Sequence, residues 1–153
     1  MILSNHMKTI LLIHGPNLNR LGKRDPEHYG SMTLKDLEQF TRAIAQPLGY
    51  AVEAYQSNHE GALIDWIQEN AASAVGIIIN PGALSHYSYA LHDTLVDTQL
   101  PCIEVHLSDI THREVWRAES VIAPACIAQV SGKKEKGYQE AVATLIAHIE
   151  QDV

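Results

Sequence analysis

Basic charge, cysteine and long apolar runs are all scarce in this sequence. Eleven Lys and Arg stand against eighteen Asp and Glu, a net charge of −7. A chain that acidic repels a phosphate backbone unless it gathers a basic stripe, and none is visible, which argues against nucleic acid as a partner. Two cysteines, Cys102 and Cys126, make no disulfide framework. The longest apolar runs, such as Val75–Ile79, fall far short of the roughly 20 residues that cross a bilayer. The first nine residues also lack the charged-then-apolar layout of a signal peptide, so the expected location is the cytoplasm. Phosphate-loop motifs are missing as well. The segment His14-Gly-Pro-Asn-Leu-Asn-Arg-Leu-Gly22 has neither G-x-x-x-x-G-K-[ST] nor G-x-G-x-x-G, and Pro16 removes a backbone donor that such a loop needs. Nine histidines form no H-x-H or H-x-x-x-H pair, so no metal site is expected.

What the chain does have is one domain's worth of residues, 153, of which 46% are hydrophobic. Met1–His6 fit no element and are read as an extension, or as a remnant ahead of a start at Met7; residues 7–153 are read as a single catalytic domain. Strand-like runs alternate with helical periods, the pattern of βα units that build a parallel sheet, so the fold class is α/β. Strands are expected at Thr9–His14, Ala51–Gln56, Gly76–Asn80, Cys102–His106 and Val121–Ile127. Helices are expected over Thr33–Leu48, with Thr33 and Asp36 as a capping pair, and over Ala62–Ala72 behind a Ser57/Glu60 capping box. Two more are expected over Ser85–Thr98, capped by Ser85, and Tyr138–Gln151. On the third of these, His86 and Asp93 would share a face.

Between Gly15 and Met32 the sequence has no periodicity, yet it carries Asn17, Asn19, Arg20, Arg24, Asp25, His28 and Tyr29. Loops of that length inside a compact domain are usually functional or disordered, and this one leaves the carboxyl edge of the sheet, where open α/β folds bind ligands. Asn80-Pro-Gly-Ala-Leu-Ser-His86 and Glu104-Val-His-Leu-Ser-Asp-Ile110 also follow predicted strands, so the three segments converge on one cleft. Glu104 and His106 share a strand face, which favours a histidine oriented by a carboxylate over a metal ligand.

Four segments carry a resemblance. Gly15-Pro-Asn-Leu-Asn-Arg-Leu-Gly22, Tyr55-Gln-Ser-Asn-His-Glu-Gly61, Asn80-Pro-Gly-Ala-Leu-Ser-His86 and Ile103-Glu-Val-His-Leu-Ser108, with Arg24-Asp-Pro-Glu-His-Tyr-Gly30 between the first two, together resemble type II 3-dehydroquinate dehydratase, from about Lys8 to about Ala143. The resemblance implies a flavodoxin-like, doubly wound sheet of five parallel strands with helices on both faces. It also implies the shikimate-pathway dehydration of 3-dehydroquinate to 3-dehydroshikimate, no cofactor, and a homo-dodecamer built as a tetramer of trimers. By motif, Tyr29 would be the base, Arg24 its activating cation, Asn17 the group polarising the enolate and His106 the general acid, oriented by Glu104. Asn80, His86, Ser108 and Arg117 would hold the substrate with the backbone at Leu107 and Ser108, and Asp93 would reach a neighbouring subunit's site. Asp109-Ile-Thr-His-Arg-Glu114 and Lys133-Lys-Glu-Lys136 depart from the family pattern, and a glycine usual near Ala128 is missing.

Elementary energetics are compatible with these roles. A phenol in water ionises near pH 10, so a phenolate base needs a cation beside it. One charge at ~4 Å in an effective dielectric of ~20 supplies about 4 kcal/mol, the scale required, and Arg24 alone would meet it. Arg113 is read as structural or interfacial. A lysine Schiff base would need a desolvated lysine, whereas all six lysines lie in loops or at element ends. The rival readings are a catalytically silent small-acid-binding or assembly protein on the same scaffold and a metal-dependent hydrolase.

Overall fold

The computed structural model describes residues 6–151. Apart from His6, the N-terminal extension expected at Met1–His6 lies outside them. Five parallel strands, β1 (Lys8–His14), β2 (Tyr50–Gln56), β3 (Gly76–Asn80), β4 (Cys102–His106) and β5 (Ala128–Ser131), form one sheet in the order β2-β1-β3-β4-β5. Side-chain alternation along each strand sends neighbours to opposite faces. Ile10, Leu12, Ile78, Ile103 and Val105 therefore pack under α2 (Leu34–Ala45) and α5 (Lys136–Gln151). Leu11, Ile13, Ile77, Ile79 and Cys102 pack under α3 (Glu60–Asn70) and α4 (Tyr89–Thr98). Both faces are covered, so the central strands β1 and β3 read as nearly continuous apolar runs, and the architecture is the expected doubly wound α/β sheet. Among the described residues no helix is long and apolar enough to cross a membrane.

Several boundaries differ from expectation for identifiable reasons. The fifth strand is Ala128–Ser131, not Val121–Ile127. Pro124 has no N–H to give a ladder, and Ser120 Oγ accepts from the backbone N–H groups of Ile122 and Ala123, folding that stretch into a single turn. The α4 helix starts at Tyr89 because Ser88, not Ser85, caps it, its Oγ accepting from Leu91 N at 3.1 Å. His86 consequently sits in the preceding 3₁₀ turn, Gly82–His86, and shares no helix with Asp93. Ser57 accepts from His59 N and forms no capping box with Glu60. The Thr33/Asp36 capping box is present, with both of its hydrogen bonds at 3.1 Å. The helix it opens ends at Ala45, because Pro47 cannot donate to the carbonyl four residues back.

The strand order places β1 and β3 side by side while their connections leave to opposite sides, a topological switch point. Here the backbones touch. Gly15 N donates to Asn80 O at 2.7 Å, and a Cβ on Gly15 would lie 2.3 Å from Pro81 O, so no larger residue fits without moving the turn after β3. The long loop after β1 contains one turn of 3₁₀ helix, Leu18–Arg20, and a four-residue helix, α1 (Pro26–Tyr29). Asp25 caps α1 through Glu27 N, and Pro26 occupies its first position, where a missing N–H costs nothing.

His14, at the end of β1, is wholly buried, with Nε2 3.4 Å from Glu38 Oε1 but without hydrogen-bond geometry at either ring nitrogen. The His14 ring holds the Glu38 carboxyl below its ordinary value of 4.5, against partial burial and with help from Arg42. A carboxyl whose folded-state value is depressed stabilises the native state above its unfolded value, and that contribution is lost as pH falls through the folded value. Glu38→Gln should therefore flatten the loss of stability below pH 4.5, read by urea denaturation at a series of pH values. An unchanged acid slope would show that this contact contributes nothing.

Candidate active site

An open cleft lies outside the carboxyl ends of β1, β3 and β4. Its walls include Asn17, Arg24, Tyr29, Asn80, His86, His106, Leu107, Ser108, Arg113 and Arg117. Of the residues singled out from the sequence, Glu104 lies buried behind this wall, and Asp93 is exposed on α4 without lining the cleft of its own chain.

Tyr29 ends α1, and its phenol meets two guanidinium groups in different ways. Arg113 Nη1 donates to Tyr29 Oη at 2.7 Å and lies 3.4 Å from Ser108 Oγ. Arg24 lies flat against the ring, Cζ 3.7 Å from its centroid. The cation hydrogen-bonded to the phenol oxygen is Arg113, expected to be structural or interfacial, and Arg24, expected to be the activating cation, packs over the ring face. A charge-assisted hydrogen bond acts directly on the oxygen, and a stacked guanidinium fixes the ring plane and adds positive potential above it. Negative charge arising on that oxygen would meet both.

On the opposite side of the sheet edge, β4 carries Glu104 and His106 on one face. His106 Nε2 donates to Glu104 Oε1 at 2.6 Å, with Glu104 wholly buried and His106 5% exposed. The bond commits Nε2, so Nδ1 is the ring nitrogen not held by Glu104 and the one able to carry a proton to a ligand. One further titratable group shares this strand. Burial pushes the Cys102 thiol well up, and its sulfur lies 3.6 Å from that of Cys126, both being free thiols.

Backbone contacts fix two of the remaining polar groups, Asn80 and His86. Asn80 Oδ1 accepts from Gly82 N at 3.1 Å, and its amide donates to Tyr138 Oη at 3.4 Å. The turn role and the cleft position thus coexist in one residue. Burial of Tyr138 pushes its hydroxyl far up, keeping it a neutral partner for that amide. His86 Nδ1 donates to Glu119 O at 2.6 Å, which leaves Nε2 as the other ring nitrogen, 3.4 Å from Ser85 Oγ. Arg117 stacks on Trp116, 4.0 Å from the ring centroid, and pairs with Glu114. Asn17 adopts φ 70°, a conformation that asparagine tolerates better than most residues, and its N–H donates to Asn58 Oδ1 at 3.0 Å. No local sequence signal marks Ser120 or Tyr138 as site residues, Asn58 is marked only as part of the segment Tyr55–Gly61, and Arg113 only by its spacing of one helical turn from Arg117.

Among the described residues no three His, Cys, Asp or Glu side chains gather as a metal cluster. The cleft instead offers a phenol beside a guanidinium, a histidine paired with a carboxylate, and a basic rim, the parts for moving protons on an anionic small molecule.

Known proteins share this arrangement's framework. The sequence model of the family Dehydroquinase class II matches residues 8–146. The 3-dehydroquinate dehydratase of Halalkalibacterium halodurans is 48% identical over 140 residues, 92% of this chain and 97% of that protein. Crystal structures of type II dehydroquinases superpose closely. That from Propionibacterium acnes does so with TM-score 0.87 at 40% identity, covering 93% of this chain and 99% of that one, and that from Butyrivibrio crossotus with TM-score 0.88 at 44% identity, covering 91% and 97%. Over nearly its whole length, in sequence and in fold, this chain belongs to the class II dehydroquinase family.

Proposed function

We propose that the chain dehydrates 3-dehydroquinate to 3-dehydroshikimate, the shikimate-pathway step, through an enolate and without a cofactor. The observation that carries this reading is the pairing, across one cleft, of a phenol hydrogen-bonded by Arg113 with a histidine held by a buried glutamate. In the reaction Tyr29, as phenolate, takes the proton from the carbon next to the ketone, and the electron pair moves onto the carbonyl oxygen as an enolate, which Asn17 polarises. The enolate then collapses, the bond to the β-hydroxyl breaks, and His106 gives that oxygen a proton so that it leaves as water. Tyr29 ends neutral with one proton more and His106 with one fewer, and proton return through solvent resets both. Asn80, His86, Ser108, Arg117 and the backbone at Leu107 would orient the ring and its carboxylate.

In the same reading the chain works in the cytoplasm as a tetramer of trimers, with Asp93 contributed to a neighbour's site. The exposed Tyr87, Tyr89 and Val96, near Asp93 in sequence, would supply surface for that assembly to cover.

Purified protein incubated with 3-dehydroquinate should produce the ultraviolet absorbance of a conjugated enone acid. Chelator should leave the rate untouched, and borohydride should trap no lysine adduct. Well-folded protein that binds the product tightly yet never forms it would replace this reading with that of a silent binding protein. Chelator-dependent loss would revive the metal-dependent alternative.

Arg113 gives a second test. A hydrogen bond to a charged group is worth ~1.5–3 kcal/mol, so Arg113→Ala should lower kcat about 10- to 150-fold. Arg113→Lys should recover part of the loss, because an ammonium can still donate to the oxygen although it lacks the planar fork. A near wild-type kcat in Arg113→Ala would remove Arg113 from the mechanism.

A further inference from the structure

The carboxylate behind His106 is held by more than the histidine. Glu104 is wholly buried. Its Oε1 accepts from His106 Nε2 and from Ser120 Oγ at 2.8 Å, and its Oε2 faces Ser120 Oγ at 2.9 Å and Gln129 Nε2 at 3.2 Å. The direction of the serine bond follows from its other contacts. Ser120 Oγ already accepts from Ile122 N and Ala123 N, both at 3.1 Å, so its lone pairs are occupied and its single proton points at the carboxylate. Gln129 lies directly across from Glu104 in the β4–β5 register, and only its NH₂ end can serve an acceptor. Three donors thus converge on one buried carboxylate.

We propose that Ser120 and Gln129 are positioning residues of the reaction, fixing the Glu104 carboxylate against His106 and making the pair readier to release its proton. This rests on the dehydratase reading above, in which His106 is the acid. While protonated, the Glu104–His106 pair is neutral overall; once it gives up the proton it carries one negative charge in a buried place. Donors to the carboxylate stabilise the negative state more than the neutral one, wherever the shared proton sits. Removing them should make the pair keep its proton to higher pH and deliver it less readily. The other titratable and charged groups facing the pair are the Cys102 thiol on the same strand and, across the cleft, Arg24, Tyr29, His86, Arg113 and Arg117.

The test is the kcat–pH profile of Gln129→Leu, Ser120→Ala and Ser120→Thr, with the His106 ring followed by NMR titration in parallel. Gln129 is exposed as a residue, so Gln129→Leu should leave folding intact, whereas Ser120→Ala also removes two backbone contacts. The expected result is a basic limb moved to higher pH by about 0.5–1 unit in Gln129→Leu and in Ser120→Ala, with lower plateau kcat and little change in KM. Ser120→Thr, which keeps the hydroxyl, should match wild type. A merely structural role would lower thermal stability without moving the limb. An unmoved or acid-shifted limb in Gln129→Leu, in an enzyme that turns over, overturns the proposal and leaves the dehydratase reading standing. If the wild-type protein does not turn over, that reading fails, and the His106 titration still decides whether Ser120 and Gln129 govern the pair.

Discussion

The hydrogen bond from Arg113 to the Tyr29 hydroxyl joins segments 84 residues apart, and the proposed chemistry depends on it. Tyr29 sits on a helix of four residues, far too short to persist on its own. Its position is set instead by the Asp25 cap, by Pro26 at the first helical position, by Arg24 stacked on the ring and by Arg113 at the oxygen. Arg113 in turn follows β4, the strand that carries Glu104 and His106. One arginine therefore couples the loop bearing the proposed base to the strand bearing the proposed acid.

The sheet supplies the rigid side of this coupling. Backbone contact between Gly15 and Asn80–Pro81 locks the ends of β1 and β3 together at the switch point. Polar groups inserted there are anchored mainly to backbone, as with Asn80 on Gly82 and His86 on Glu119. The segment Glu119–Ser120 is unusual in serving two places at once. Its carbonyl holds His86, and its hydroxyl holds Glu104, so a stretch with no regular secondary structure positions groups on two walls of the cleft. Buried polar groups with satisfied partners give a site definite geometry at the expense of many constraints on sequence.

Much of the fold was legible because its signals are local. β1 and β3 are short runs of branched residues, and Thr33 with Asp36 announces the start of α2 within four positions. The errors fall where two local signals compete: Ser85 and Ser88 can each cap a helix, and the apolar run 121–127 looks strand-like until Pro124 and the Ser120 turn are weighed. Site residues at strand ends were legible through the sheet's geometry together with the family resemblance. Arg113, Asn58, Ser120 and Gln129 were not, because each acts through a contact between segments distant in sequence, and no periodicity records such a contact.

In the proposed reaction the Tyr29 oxygen removes the proton beside the ketone. The most direct test of that step follows, by NMR in deuterated solvent, both the exchange of that proton and the formation of product, for wild type and for Tyr29→Phe shown to be folded and to bind substrate. Wild type should form product, and Tyr29→Phe should show neither exchange nor product. Removal of that proton by Tyr29→Phe at the wild-type rate would contradict the role of Tyr29 as base.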